Sequence, residues 1–204
     1  FSANSAQRLE TLRAEYSKAD ERQRAESSFW ILYYEGLMEA LPTLKVVVPD
    51  LTFDGRLEIH GGGRKAELLA FDNAHSGNDA ILYLPQEGVV FKSDLLFVGC
   101  HPYFADGDPL KQLSALKAIE KLDATQFVPG HGSVGTRDDL VLMIEYIEHC
   151  LHLAQELRQA GRTSEEQIAA LKAPEPYQDW RFPKFFQMNM QFLVRRSNET
   201  DVNE

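Results

Sequence analysis

Ala74-His75-Ser76-Gly77-Asn78-Asp79, Ser93-Asp94-Leu95-Leu96-Phe97 and Val128-Pro129-Gly130-His131-Gly132 decide how this chain is read. Each adjoins a short apolar run of strand character: residues 67–71 before the first, Val89-Val90-Phe91 before the second, Gln126-Phe127-Val128 leading into the third. Each stretch thereby sets one candidate metal ligand, His75, Asp94 or His131, at a strand end. A β-scaffold holds side chains firmly there and leaves the connecting turn exposed. Imidazole nitrogens and a hard carboxylate are donors that zinc accepts. Around His131, two glycines allow backbone to approach closely because no Cβ intervenes.

Outward from these stretches the chain reads in three parts. Residues 5–41 carry helical spacing, with Leu9, Leu12 and Tyr16 separated from Phe29, Leu32, Tyr33 and Met38 by a polar stretch. From Lys45 the pattern becomes that of strands: Val46-Val47-Val48, then Leu57-Glu58-Ile59, residues 67–71 and 80–84, and Val89-Val90-Phe91. Gly61-Gly62-Gly63 has neither a following helix nor a Lys-Ser/Thr pair, so it reads as a hairpin turn rather than a phosphate loop. Pro85-Gln86-Glu87-Gly88 is a second hairpin signal. Helices are expected over 109–122, over a long amphipathic stretch opened by Thr136 and stopped by Gly161, over a short one opened by the Thr163/Glu166 pair, and over 183–195.

The order His, Asp, His with these flanks resembles the second half of the metallo-β-lactamase fold, over roughly residues 51–198. The fold class this implies is α/β: a metallo-β-lactamase-like αβ/βα sandwich, second half, with C-terminal helices. Residues 1–204 would form the C-terminal part of one such domain, with 1–44 helical, 45–135 carrying strands and ligand loops, and 136–204 the C-terminal helices. The resemblance also implies a role for each ligand. His75 would bind the first zinc, Asp94 would bridge two ions, and His131 would bind the second. Two departures from the family pattern stand out: Asn78 where a glycine is preferred, and Ser93 in place of the glycine of the usual Gly-Asp pair.

The family's other signature, His-x-His-x-Asp-His, occurs nowhere in these residues. The expectation is therefore a fragment of a zinc-dependent hydrolase of ester, thioester, lactone or lactam type. In such a hydrolase a metal-bound hydroxide attacks a carbonyl, so no protein side chain is assigned as catalytic. Two zinc ions are expected in the intact parent, with weak or absent binding in this chain alone, which is expected to be inactive. The alternative is a non-catalytic or interaction module that kept the fold without metals. Asp94, where one lactamase branch carries Cys, ranks lactams last among substrates.

A net charge of −10 argues against nucleic-acid partners, which require Lys and Arg to displace counterions. No apolar stretch approaches the ~20 residues of a bilayer span. The expected partner is a small molecule, with no nucleic acid or membrane, together with a second copy or the missing N-terminal half to cover exposed strand edges. Compartment stays open, because the chain begins at Phe1 rather than Met. His101, Tyr103 and Phe104, in the loop after Cys100, are candidate walls of a substrate pocket. His149 and His152, set among glutamates, read as a solvated helix face. Trp180 and Phe182, Phe185 and Phe186 read as core or a helix-docking surface.

Overall fold

The computed structural model describes residues 2–200, so Phe1 and residues 201–204, the outer ends of the expected helical parts, lie outside the described residues. The chain forms two compact units, Phe1–Thr52 and Phe53–Glu204.

The first unit is a helical hairpin of α1 (Ser2–Tyr16) and α2 (Glu21–Ala40). Asp20 starts α2 through a capping box: its carboxylate accepts from the Gln23 amide at 2.8 Å, while the Gln23 side chain accepts from the Asp20 amide at 3.1 Å. Arg13 and Glu35 tie the two helices at 2.6 Å. Leu9 and Leu12 are buried, whereas Phe29, Leu32 and Tyr33 are exposed. Val46-Val47-Val48 is not the strand its β-branched run suggests. It joins no sheet, and its side chains are 73–89% exposed. A strand requires a neighbour to take its backbone hydrogen bonds, and local composition cannot supply one.

The second unit is built on one sheet in the order β1 (Arg56–Gly61), β2 (Arg64–Asp72), β3 (Asn78–Leu84), β4 (Val89–Phe91), β5 (Gln126–Val128). The first three junctions are antiparallel and β4–β5 is parallel. The change of direction is made by the crossover through α3 (Pro109–Ile119). Gly62 and Gly63, at φ 58° and 76°, make the expected β1–β2 turn. The register gives the sheet two unlike faces. Glu67, Tyr83, Val90 and Phe127 stand in one cross-strand row and are all buried. Glu67 is tolerated there because Lys65 at 2.5 Å and Arg56 at 2.8 Å neutralise it; the Lys65 hydrogen bond leads in holding its carboxyl below the ordinary range. The opposite row, Leu57, Leu68, Leu82 and Phe91, is just as apolar, yet its first three members are exposed in part and Phe91 is 41% exposed.

The buried core continues into α3, α4 (Arg137–Gln159), α5 (Glu165–Ala169) and α6 (Pro183–Thr200). Thr136 and Asp139 form the capping box that opens α4, as the sequence indicates. The box opening α5 is Ser164 with Gln167, one residue beyond the expected Thr163/Glu166 pair. On the apolar stripe of α4, Leu140, Met143, Ile144, Ile147, Ala154 and Leu157 are buried and Leu151 is half-buried. No helix among the described residues is long and apolar enough to cross a membrane.

Candidate metal centre

His75 lies in the turn between β2 and β3. Asp79, the first inward residue of β3, grips that turn: its carboxylate accepts from the amides of Ala74, His75 and Ser76 and from the Ser76 hydroxyl, at 2.9–3.2 Å. Asp side chains bond nearby backbone in this way and so define turns. A second constraint comes from Gly107. A Cβ there would overlap the Ala74 carbonyl and lie 2.6 Å from the backbone of His75, so only glycine lets this loop ride over the His75 turn. Neither Asp79 nor Gly107 was singled out by sequence reasoning. An aspartate four residues beyond the histidine was the available signal for the first, and glycine before the Asp-Pro helix start for the second.

Asp94 sits in a 3-10 turn, Ser93–Leu95, directly after β4. Ser93 takes the left-handed backbone conformation, φ 47°, where the family pattern has glycine. That conformation costs a non-glycine residue roughly 1–2 kcal/mol, partly offset by the greater unfolded-state entropy of glycine. Ser93→Gly is therefore expected to raise stability by about 0.5–1 kcal/mol, read as an upward shift in thermal midpoint; a lowered midpoint would show that the serine side chain compensates.

His131 approaches from the loop after β5. The Gly130 amide donates to the Ser93 carbonyl at 2.7 Å and the Val98 amide donates to the His131 carbonyl at 2.9 Å, tying this loop to the Asp94 turn. The three candidate ligands come together around one carboxylate. Asp94 Oδ1 is 3.5 Å from His131 Nε2 and Oδ2 is 3.9 Å from His75 Nε2, so each oxygen faces a different imidazole. Phe97 lies beneath both rings, stacked on His131 (centroids 5.0 Å, planes 12° apart) and tilted against His75 at 5.6 Å. His131 and Asp94 are 44% and 40% exposed, while His75 is 12% exposed.

The donors suit zinc chemically, and 3.5 Å is close to the ~3.4 Å expected between two ligands at ~2.05 Å on one tetrahedral ion. The number of donors falls short. Among the described residues no three His, Cys, Asp or Glu side chains group to hold an ion; the contacts present are pairwise, Asp94 with each histidine. His75 Nδ1 is also buried without a hydrogen-bond partner, so the acceptor that usually orients a ligating histidine from behind is not supplied by these residues.

The loop 101–104 lies differently from the pocket wall expected of it. His101 and Phe104 are fully buried. His101 Nδ1 is 2.9 Å from the Tyr146 hydroxyl. Asn189 of α6 clamps the loop, accepting from the Phe104 amide at 3.0 Å and donating to the Pro102 carbonyl at 2.7 Å. The physical reason is that α4 and α6 close over these side chains and bury them in the core. Tyr103 lines a cavity of about 350 Å³, shared with Met188, Phe192, Arg195 and Arg196. Both cysteines are buried, and burial raises each thiol, Cys150 to about 12.

Lys92, two residues before Asp94, is wholly buried. Its Nζ has no hydrogen-bond partner and lies 4.0 Å from the centre of the Phe127 ring. Desolvation, with a smaller push from Arg137, lowers its pKa to about 7.

A search of curated proteins finds no match. Among solved structures, a metallo-beta-lactamase family protein from Thermus thermophilus is 18% identical over 76% of this chain and 50% of its own, TM-score 0.54. A stereoselective inverting sec-alkylsulfatase from Pseudomonas sp. is 17% identical over 74% and 27%, TM-score 0.57. A metallo-beta-lactamase from Pontibacter korlensis is 24% identical over 54% of each chain, TM-score 0.46. The chain thus spans about half or less of the length of these solved relatives. The sequence profile described as the metallo-beta-lactamase superfamily matches residues 7–131, a span that ends on His131 and takes in His75 and Asp94. Profile, sheet and loop placement agree: this chain belongs to the metallo-beta-lactamase superfamily, a family of hydrolases.

Proposed function

We propose that this chain carries part of the metal centre of a zinc-dependent hydrolase, with His75, Asp94 and His131 as ligands and Asp94 shared between two ions. The observation that carries this reading is the division of the Asp94 carboxylate, one oxygen toward each imidazole. A bound zinc supplies Lewis acidity, lowering the pKa of water toward neutrality and polarising a carbonyl oxygen. The chain's own residues place the donors. Asp79 sets the His75 turn, the Gly130 amide fastens the His131 loop to the Asp94 turn, and Phe97 supports both rings from below. The substrate class is an ester, thioester or lactone, with lactams last because an aspartate stands at position 94.

Two ligands per ion, one of them shared, are fewer than the three protein ligands that hold a catalytic zinc. The complete centre takes further ligands from outside these residues. The apolar row Leu57, Leu68, Leu82 and Phe91 is the surface where a second sheet-bearing segment, or a second copy, would sit. Calorimetry with zinc and light scattering on the 204-residue chain test both points. Expected are zinc binding no tighter than micromolar, no turnover on a panel of esters, thioesters and lactones, and a mass above that of a monomer. Submicromolar binding at two sites by a monomer would overturn the ligand count. Failure of the metal-loaded intact protein to hydrolyse any of the panel would favour the non-catalytic module.

A further inference from the structure

Phe182 adopts φ 60° immediately before Pro183. A bulky side chain rarely takes the left-handed region, and a residue preceding proline is ordinarily extended. Such strain persists only where the surroundings over-determine it, and it concentrates at working sites. Here the surroundings are specific. The Arg181 amide donates to the Gly99 carbonyl at 2.9 Å, and the His101 amide donates to the Arg181 carbonyl at 3.0 Å. At the other side, the Phe185 amide donates to the Phe182 carbonyl at 2.9 Å as α6 begins. The turn is thus pinned at both ends. The Phe182 ring, 7% exposed, stands edge-on to the His131 imidazole, centroids 6.1 Å apart and planes at 87°.

One short stretch, residues 97–101, therefore holds two walls of the same imidazole. Phe97 comes from it directly and stacks on the ring face; Phe182 is bonded to it through Arg181 and meets the ring at right angles. Two aromatic contacts in different planes restrain both tilt and rotation of the His131 side chain, which neither could do alone. Even with both rings in place the His131 side chain is 44% exposed, and without them it would sample several rotamers. The ring orientation so held is the one that directs Nε2 at Asp94 Oδ1.

We infer that Phe182 is a positioning residue for His131, contributed by the C-terminal segment beyond the residues that the superfamily profile matches. The functional consequence rests on His131 being a metal ligand, as proposed above; the restraint on its rotamer does not. The test uses the full chain with Phe182→Leu, which keeps apolar bulk and removes the ring, and Phe182→Tyr, which keeps it. Two readouts are taken: the χ1 coupling constants of His131 by NMR, and affinity for zinc by calorimetry. The leucine variant should show rotamer-averaged couplings and about tenfold weaker zinc binding, with both restored in the tyrosine variant. Should Phe182→Leu fail to fold, Phe182→Met, unbranched and adaptable, carries the same measurement. Unchanged His131 couplings in a folded leucine or methionine variant would overturn the proposal. If averaging occurs while the wild-type chain binds no measurable zinc, as two ligands per ion allow, the positioning role stands on the couplings alone.

Discussion

Alanine at position 130 should cost about 3 kcal/mol of stability and abolish any metal binding, although it adds a single methyl group. A Cβ on Gly130 would overlap Asp94 Oδ1 and lie 2.8 Å from the Ser93 carbonyl carbon and 2.9 Å from the Asp94 amide. Two of these three atoms are backbone, so rotation of one side chain cannot relieve the clash. The His131 loop has to lift away from the Asp94 turn. That motion breaks the hydrogen bonds that the Gly130 amide donates to the Ser93 and Leu96 carbonyls, at 2.7 and 3.2 Å. It also separates the carboxylate from the His131 imidazole. Gly77→Ala supplies the control in the other histidine loop. Nothing lies within 4 Å of a Cβ there, so its stability should stay within about 0.5 kcal/mol. Chemical denaturation of both variants checks the contrast; equal midpoints would show that the two loops are not packed as described.

The second large effect has the opposite sign. Lys92→Met should stabilise the protein by about 3 kcal/mol below pH 7. The fall from 10.5 to about 7 corresponds to roughly 5 kcal/mol at ~1.36 kcal/mol per unit, an upper bound that relaxation and water penetration reduce. Methionine keeps the unbranched stem and its packing on Phe127 while removing the buried ammonium. The pH dependence follows from proton counting. Between pH 7 and 10.5 the unfolded chain binds a proton at Lys92 that the folded chain does not, so wild-type stability rises with pH across that window. The advantage of the methionine variant should therefore be greatest below pH 7 and shrink by up to ~1.4 kcal/mol per unit above it. Denaturation of both proteins between pH 6 and 8.5, with chelator present, isolates the effect. That range stays below the alkaline region where Tyr146, Tyr177 and Cys150, all raised by burial, begin to lose stability to the unfolded state. A pH-independent difference would mean that the lysine finds a partner.

What the sequence determined by itself is local. The turns at Gly61-Gly62-Gly63 and 85–88, the capping box of Thr136 and Asp139, and the buried stripe of α4 depend on residues a few positions apart, so their patterns carry over into the folded chain. The placement of His75, Asp94 and His131 at strand ends was legible for the same reason, as was the superfamily. The serine in place of glycine at position 93 was visible in the sequence; its left-handed backbone, φ 47°, came from the structure. What only the tertiary structure decided involves partners distant in sequence. Val46-Val47-Val48 has the composition of a strand but no neighbour to pair with. His101 stands in a loop by sequence, yet Tyr146, 45 residues away, draws its imidazole into the core. The division of the Asp94 carboxylate between two rings and the edge-on approach of Phe182 to His131 are likewise properties of the assembled loops. Backbone preference and hydrophobic period act over one or two turns of chain, whereas burial and contact geometry are set by whichever distant segments come to pack there.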